Sequence, residues 1–184
     1  MILNTLKMGN FRVYRGDHEI DLRPEGPSGA KPIILFGGLN GAGKTSILSA
    51  VRLTLYGRRI LGAKVPSDEY HRYLSDCIHK PAGSERIPNS AYVRLNFSDS
   101  RGGRQHEYDV VRSWFRDTSG AITENLQITR DDEVLSHLSH DQAQSFLNDL
   151  IPMGIADLFF FDGEKIAELA ESKGNAALAD AIQR

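Results

Sequence analysis

The residues best suited to chemistry in this sequence form the run 38–45, which fits the pattern G-x-x-x-x-G-K-[ST]. Glycines let the backbone curl so that its N–H groups face phosphate oxygens, and the following helix points the positive end of its dipole at the same anion. In this pattern Lys44 reaches the β- and γ-phosphates of a nucleoside triphosphate, and the Thr45 hydroxyl ligates Mg²⁺. The run therefore predicts a phosphate-binding loop. The candidate nucleotide-binding residues are Gly38, Asn40, Gly41, Ala42, Gly43, Lys44, Thr45 and Ser46.

A phosphate-binding loop needs a strand before it and a helix after it. The apolar residues 33–36 predict the strand, and residues 45–56 predict the helix. Gly57 is well placed to end that helix, because glycine adopts the backbone conformations that follow a last helical turn. The motif therefore lies in the context that it requires.

Most of the remaining pattern has a period of two, which is typical of antiparallel strands. Residues 2–8 predict a first strand, and residues 11–14 and 19–22 predict two arms joined through Gly16-Asp17. Residues 91–97, 106–115 and 125–129 predict a meander. Farther along, Ser139 and Gln142 have the spacing of a capping box and predict the start of a helix.

A second candidate site lies near the end of the chain, where the apolar residues 158–161 are followed by Asp162-Gly163-Glu164. ATP hydrolysis needs an acidic element that holds Mg²⁺ and orients the attacking water. The run could be such an element, a Walker B strand, with Asp162 near the metal and Glu164 as the catalytic base. It could equally be an apolar strand that ends in a solvated acidic turn, with Glu164 favouring the N-terminus of the next helix. Spacing alone leaves both interpretations open.

Composition limits the function classes. The net charge of −2 gives no argument from bulk basicity for DNA binding, so any contact with DNA needs a local or composite surface. Cys77 is the only cysteine, which excludes an intramolecular disulfide and favours a reducing cytoplasm. The sequence contains neither a signal-peptide pattern nor an apolar run long enough to span a membrane. We therefore expect a cytoplasmic protein without a membrane partner.

Several segments together resemble the N-terminal lobe of an SMC-like ATPase head: Gly9-Asn10-Phe11-Arg12, the phosphate loop, and Leu55-Tyr56-Gly57. Within that class, residues 159–166 are most similar to DndD, the ATPase of bacterial DNA phosphorothioate (sulfur) modification systems. The resemblance implies an α/β fold of the phosphate-loop NTPase type, an ABC/SMC-like head lobe with an antiparallel β meander beside the nucleotide-binding core. It implies ATP and Mg²⁺ as cofactors and ATP hydrolysis as the activity.

The same resemblance implies roles for individual residues. Arg12 occupies a position where relatives place a basic side chain close to the phosphates, although it could also be an exposed hairpin arginine. Asp162 falls where many relatives carry a glutamine that helps to ligate Mg²⁺, and an aspartate oxygen can also bind a hard cation. Lys44 and Glu164 are the candidate catalytic residues, and Thr45 and Asp162 are the candidate metal ligands.

The resemblance also implies that the head is split, with a long coiled coil between its two lobes. Residues 1–164 then form the N-terminal lobe, and residues 165–184 begin the coiled coil. The chain contains no L-S-G-G-Q-like signature motif, so we expect a fragment of a longer protein that alone binds ATP poorly and hydrolyses little. The implied partners are the C-terminal lobe of the same protein, a second head in an ATP-bound homodimer, DNA, and sulfur-modification proteins.

Three other functions fit the same residues. One is an SMC-like ATPase of DNA repair or anti-phage defence. A second is a self-contained phosphate-loop kinase or GTPase that uses Asp162 and Glu164 as its own Walker B acids. A third is a nucleotide-gated binding module, in which hydrolysis only resets dimerisation and partner docking.

Overall fold

The period-two pattern folds into a six-stranded sheet in the computed structural model, which describes residues 1–24, 33–81, 83 and 86–153. All neighbouring strand pairs are antiparallel, in the order β2-β1-β3-β4-β5-β6. The predicted meander is confirmed, because its three segments lie within β3, β4 and β5. The strands are β1 (Ile2–Phe11), β2 (Tyr14–Asp21), β3 (Ser90–Arg101), β4 (Arg104–Arg116), β5 (Ile122–Arg130) and β6 (Glu133–Val134).

Three α-helices pack on one face of this sheet: α1 (Lys44–Tyr56), α2 (Ser67–Cys77) and α3 (His140–Leu150). Helix α1 contacts β1, β3 and β4, α2 contacts β4 and β5, and α3 contacts β5 and α1. A 3₁₀ turn, Gly57–Leu61, follows α1 directly. The core between the layers contains Leu6, Met8, Leu53, Leu55, Leu74, Val93, Leu95, Phe97, Val110 and Trp114, all buried.

The opposite face of the sheet is polar. Lys7 of β1 pairs with Glu19 of β2 at 3.0 Å, and Arg94 of β3 pairs with Asp109 of β4 at 2.6 Å. Because side chains alternate between faces, the same strands supply the core from their other positions. The sheet therefore carries the helices on one side and a charged surface on the other.

The start of α3 follows the predicted capping box. The Ser139 hydroxyl accepts a hydrogen bond from the Gln142 backbone N–H, and the Gln142 side chain accepts one from the Ser139 backbone N–H. Helix α3 begins at His140, as the sequence predicts. Its buried residues include the apolar residues Leu147 and Leu150.

The predicted hairpin arms are placed wrongly. Strand β1 continues to Phe11, and the chain turns at Arg12-Val13 instead of Gly16-Asp17. Asn10 and Arg12 adopt positive φ angles of 48° and 50°. The end of α2 stabilises this turn, because the Arg12 N–H donates to the Cys77 carbonyl at 2.8 Å. That contact joins distant parts of the chain, so local patterning does not reveal it.

The predicted strand at residues 33–36 does not form in the described part of the chain. These residues pair with no strand of the described sheet, and Ile33 and Leu35 are 82% and 90% exposed. A strand depends on pairing with a neighbouring strand, whatever the propensity of its residues. Residues 33–36 therefore form an apolar segment that pairs with no strand of the described sheet.

Two further predictions lie outside the described residues: the acidic run at 158–164 and the helical tail from 165 onward. Within the described ranges, no helix has the length and apolar character needed to cross a lipid bilayer.

We expect Ser139→Ala to lower the free energy of unfolding by about 1 kcal/mol, because the substitution removes one of the two capping interactions of α3. Urea unfolding followed by circular dichroism measures the change. Ser136→Ala, at an exposed serine in the preceding turn, is the matched control and should have little effect. Equal stabilities for the two variants would contradict the cap.

Candidate functional site

The phosphate-loop residues form a tight turn that leads directly into α1. Gly41 and Gly43 have φ angles of 82° and 97°, in the left-handed region that favours glycine. The Ala42 N–H donates to the Leu39 carbonyl at 3.1 Å, and the Ile47 N–H donates to the Gly43 carbonyl at 3.1 Å. The backbone thus curls before the helix begins, which brings the loop to the N-terminal end of α1.

Lys44 lies over the loop that precedes it. Its ammonium group donates to the carbonyl oxygens of Gly38 at 2.8 Å and Leu39 at 2.9 Å. A lysine held across the loop in this way places a positive charge next to the N-terminal amides of α1. This arrangement can attract an anion from two directions, through the ammonium and through the helix end.

The N-terminal end of α1 has neither a side-chain cap nor an acidic residue in its first turn. Gly43, the residue that precedes the helix, has no side chain to cap it, and the first turn of α1 contains no acidic residue. The first amides of a helix have no partner within the helix. The residues present therefore suit a phosphate group at this position, and a nucleotide would satisfy these donors.

Gly43 is also held against the turn between β1 and β2. The Tyr14 hydroxyl donates to the Gly43 carbonyl at 3.3 Å. A Cβ atom at position 43 would lie 2.7 Å from Val13 Cγ2 and 2.8 Å from Tyr14 Oη. Glycine is therefore required here by close packing as well as by its backbone angle. Sequence reasoning missed the role of Val13 and Tyr14, since no motif marks them.

The other predicted loop residues differ in exposure. Asn40, Gly41, Ala42 and Thr45 are exposed. Ser46 is buried and lies on the side of α1 that packs on the core. The structure brings the predicted residues 38–46 together at one end of α1.

Arg12 has protein partners in this structure. Its guanidinium donates to the Tyr73 hydroxyl at 3.0 Å and lies 5.6 Å from the centre of the Tyr73 ring. Burial raises the pKa of Tyr73 to about 12, so this hydroxyl is neutral at pH 7. The Arg12 Nε atom is buried and makes no hydrogen bond. The alternative of a plain exposed hairpin arginine does not fit, and contact with phosphate stays a prediction.

Two predicted site residues, Asp162 and Glu164, lie outside the described residues. Their roles as metal ligand and catalytic base stay predictions.

A further group that the sequence analysis missed lies at the other end of α1. Arg112 of β4 is completely buried beside Glu124 of β5 and Gln144 of α3. The sequence contained a signal for this burial, because Arg112 lies two residues from each of the apolar residues Val110 and Trp114 in β4. Residues two apart in a strand lie on the same face, which places the Arg112 side chain on the buried face of the sheet.

Comparison with known proteins gives limited structural likeness. No curated protein sequence matches the chain. Among solved structures, the SMC head domain from Thermotoga maritima is similar, with a TM-score of 0.40 and 22% sequence identity. The match covers 82% of this chain and 41% of the SMC head domain chain. The present chain thus spans less than half the length of that structure.

A family model described as an AAA domain matches residues 5–183, which is nearly the whole chain. The expected fold class, an α/β phosphate-loop NTPase with an antiparallel β meander, is confirmed by this match together with the observed sheet and helices. On the strength of a match of that extent, the chain belongs to the AAA domain family.

Proposed function

We propose that this chain is the ATP-binding N-terminal lobe of an SMC-like ATPase that acts on DNA. The observation that carries the proposal is the phosphate loop, in which Lys44 lies across the carbonyls of Gly38 and Leu39 at the uncapped end of α1. Membership of the AAA domain family supports nucleotide binding as the use of this loop.

Each loop residue has a role in this proposal. The backbone N–H groups from Gly43 to Ser46 hold phosphate oxygens, and Lys44 exchanges its carbonyl acceptors for the β- and γ-phosphates. Thr45 and Asp162 are the candidate ligands of Mg²⁺, which when bound would neutralise charge that develops on the phosphates. In the alternative of a self-contained enzyme, Glu164 would orient the attacking water. Arg12, whose guanidinium donates to the Tyr73 hydroxyl in this structure, is a further candidate for contact with the phosphates.

The exposed apolar segment before the loop supports a partner lobe. Ile33 and Leu35 are each more than four-fifths exposed, as is Leu39 within the loop, although residues of this type are usually buried. The C-terminal lobe of the same protein would cover this segment and supply the signature motif and the Walker B acids. Two such heads, with ATP between them, would then form the hydrolysing unit.

The role in DNA phosphorothioate modification rests on the similarity of residues 159–166 to DndD. On this basis the full protein would work with sulfur-modification proteins in the cytoplasm, and residues 165–184 would begin its coiled coil. A role in DNA repair or anti-phage defence uses the same lobe with other partners.

We expect Lys44→Ala to abolish ATP binding and leave the fold intact, because the Lys44 ammonium contacts loop carbonyls and not the core. Isothermal titration with Mg²⁺ and ATP measures the affinity, and thermal unfolding checks the fold. Lys64→Ala, at an exposed lysine beyond the 3₁₀ turn, is the matched control and should bind normally. Unchanged affinity in folded Lys44→Ala would refute the assignment of the loop.

The 184-residue chain alone should show negligible ATPase activity, and addition of the matching C-terminal lobe should restore it. The reason is that the sequence lacks a signature motif. Phosphate release measures the turnover of each preparation. Rapid turnover by the chain alone, lost in Glu164→Gln, would instead support a self-contained enzyme with its own Walker B acids.

If Asp162 holds Mg²⁺, Asp162→Ala should weaken ATP binding in the presence of Mg²⁺ more than in its absence, because alanine offers no oxygen ligand. Asp162→Asn should give an intermediate affinity, since it keeps an oxygen and loses the charge. Titrations with and without the metal compare the three proteins. Equal losses under both conditions would exclude a metal-binding role for this residue.

A further inference from the structure

A buried polar network terminates α1 at the end opposite the phosphate loop. The Arg112 side chain is completely buried, and its guanidinium donates to Glu124 Oε1 at 2.5 Å and to Gln144 Oε1 at 2.6 Å. It also approaches the carbonyl oxygen of Thr54 at 3.4 Å. The network therefore joins β4, β5 and α3 to the last turn of α1.

Gln144 makes the second contact with α1. Its Nε2 atom donates to the Leu55 carbonyl at 2.9 Å, while its Oε1 atom accepts from Arg112. The last carbonyls of a helix have no partner within the helix, and a positive charge is favourable at that end. Two side chains from other elements thus take the place that water usually occupies at a helix end.

Gly57 lets this network lie directly against the backbone. Its φ angle is 50°, and a Cβ atom at this position would lie 2.7 Å from Gln144 Oε1 and 2.8 Å from Arg112 Nη1. Any side chain at position 57 would displace one of these groups. The C-terminal end of α1 is therefore fixed at contact distance from β4 and α3.

Stability alone does not require a charged network at this place. A buried ion pair can often be replaced by apolar side chains of similar volume without loss of stability. Apolar side chains, however, offer no donor to the carbonyls of Thr54 and Leu55. What the network adds is orientation, since hydrogen bonds to those carbonyls fix the direction of α1. Tyr70 of α2 supports it by donating to Glu124 Oε1 at 2.7 Å.

Resting on the ATP-binding role proposed above, we propose that Arg112 and Gln144 are positioning residues for the phosphate loop. Helix α1 has 13 residues and is about 20 Å long, so it acts as a rigid link between the network and Lys44. A tilt of a few degrees at one end moves the other end by about 1 Å, and a misplacement of that size at a reacting group can cost about a hundredfold in rate. The network therefore sets where the loop amides and Lys44 meet the phosphates.

The test compares two variants that each remove donors from helix carbonyls. Gln144→Met removes the donor to Leu55 of α1. Arg101→Met is the matched control, because Arg101 donates to the carbonyls of Asp149 and Leu150 at the end of α3. Affinity for Mg²⁺ and ATP is measured by isothermal titration at a temperature where both proteins are folded. We expect roughly tenfold weaker binding in Gln144→Met and unchanged binding in Arg101→Met, because only the former frees α1 to tilt.

A double variant separates stability from positioning. Arg112→Met with Glu124→Gln removes both charges, keeps an oxygen acceptor for the Tyr70 hydroxyl and should retain most of the thermal stability, yet it should bind ATP as weakly as Gln144→Met. If Gln144→Met does not fold, Gln144→Glu serves the same comparison, since it keeps the acceptor for Arg112 and loses the donor to Leu55.

Wild-type affinity in the folded network variants would overturn the positioning role, and so would an equal loss in Arg101→Met. The result with Lys44→Ala distinguishes the two proposals. If the wild-type chain binds ATP and Lys44→Ala does not, then normal ATP affinity in the network variants refutes only the positioning role. If the wild-type chain does not bind ATP, the proposed function and the positioning role both fall.

Discussion

The contact that the rest of the structure depends on is the attachment of α1 at both of its ends. At the N-terminal end Gly43 lies against Val13 and Tyr14, and at the other end Gly57 lies against Arg112 and Gln144. Neither position has room for a Cβ atom. Because both glycines also have positive φ angles, the backbone leaves the helix sharply at each end. The helix that carries Lys44 is thus fixed lengthwise between a strand turn and a buried charge.

The turn that holds the loop is itself held by α2. Cys77, the last residue of α2, accepts a hydrogen bond from the Arg12 N–H, and the N–H of His79, just beyond α2, donates to the Asn10 carbonyl. The Arg12 side chain also packs on Tyr73. A displacement of α2 would therefore move the turn after β1 and, through that turn, Gly43. Since Tyr70 of α2 also contacts the Arg112 network, α2 touches the supports of both ends of α1.

The sequence predicted those features that depend on neighbouring residues. The loop, the start of α1 and the capping box of α3 follow from short patterns whose physics is local. It did not predict features that depend on distant contacts. The turn at Arg12 needs the end of α2, and the Arg112 network needs α1 and α3 beside β4. The strand expected at residues 33–36 needs a partner that the described sheet does not supply.

Residues 33–36, which the described sheet leaves unpaired, have a consequence for the synthesis of the protein. An apolar run without a partner strand is a site for aggregation while it waits to be covered. During synthesis, residues 33–36 leave the ribosome well before any partner that follows later in the chain. The residues on either side interrupt the run, because Pro32 cannot donate to a strand ladder and Gly37-Gly38 favours turns over strands. These flanking residues limit the aggregation-prone segment to four residues.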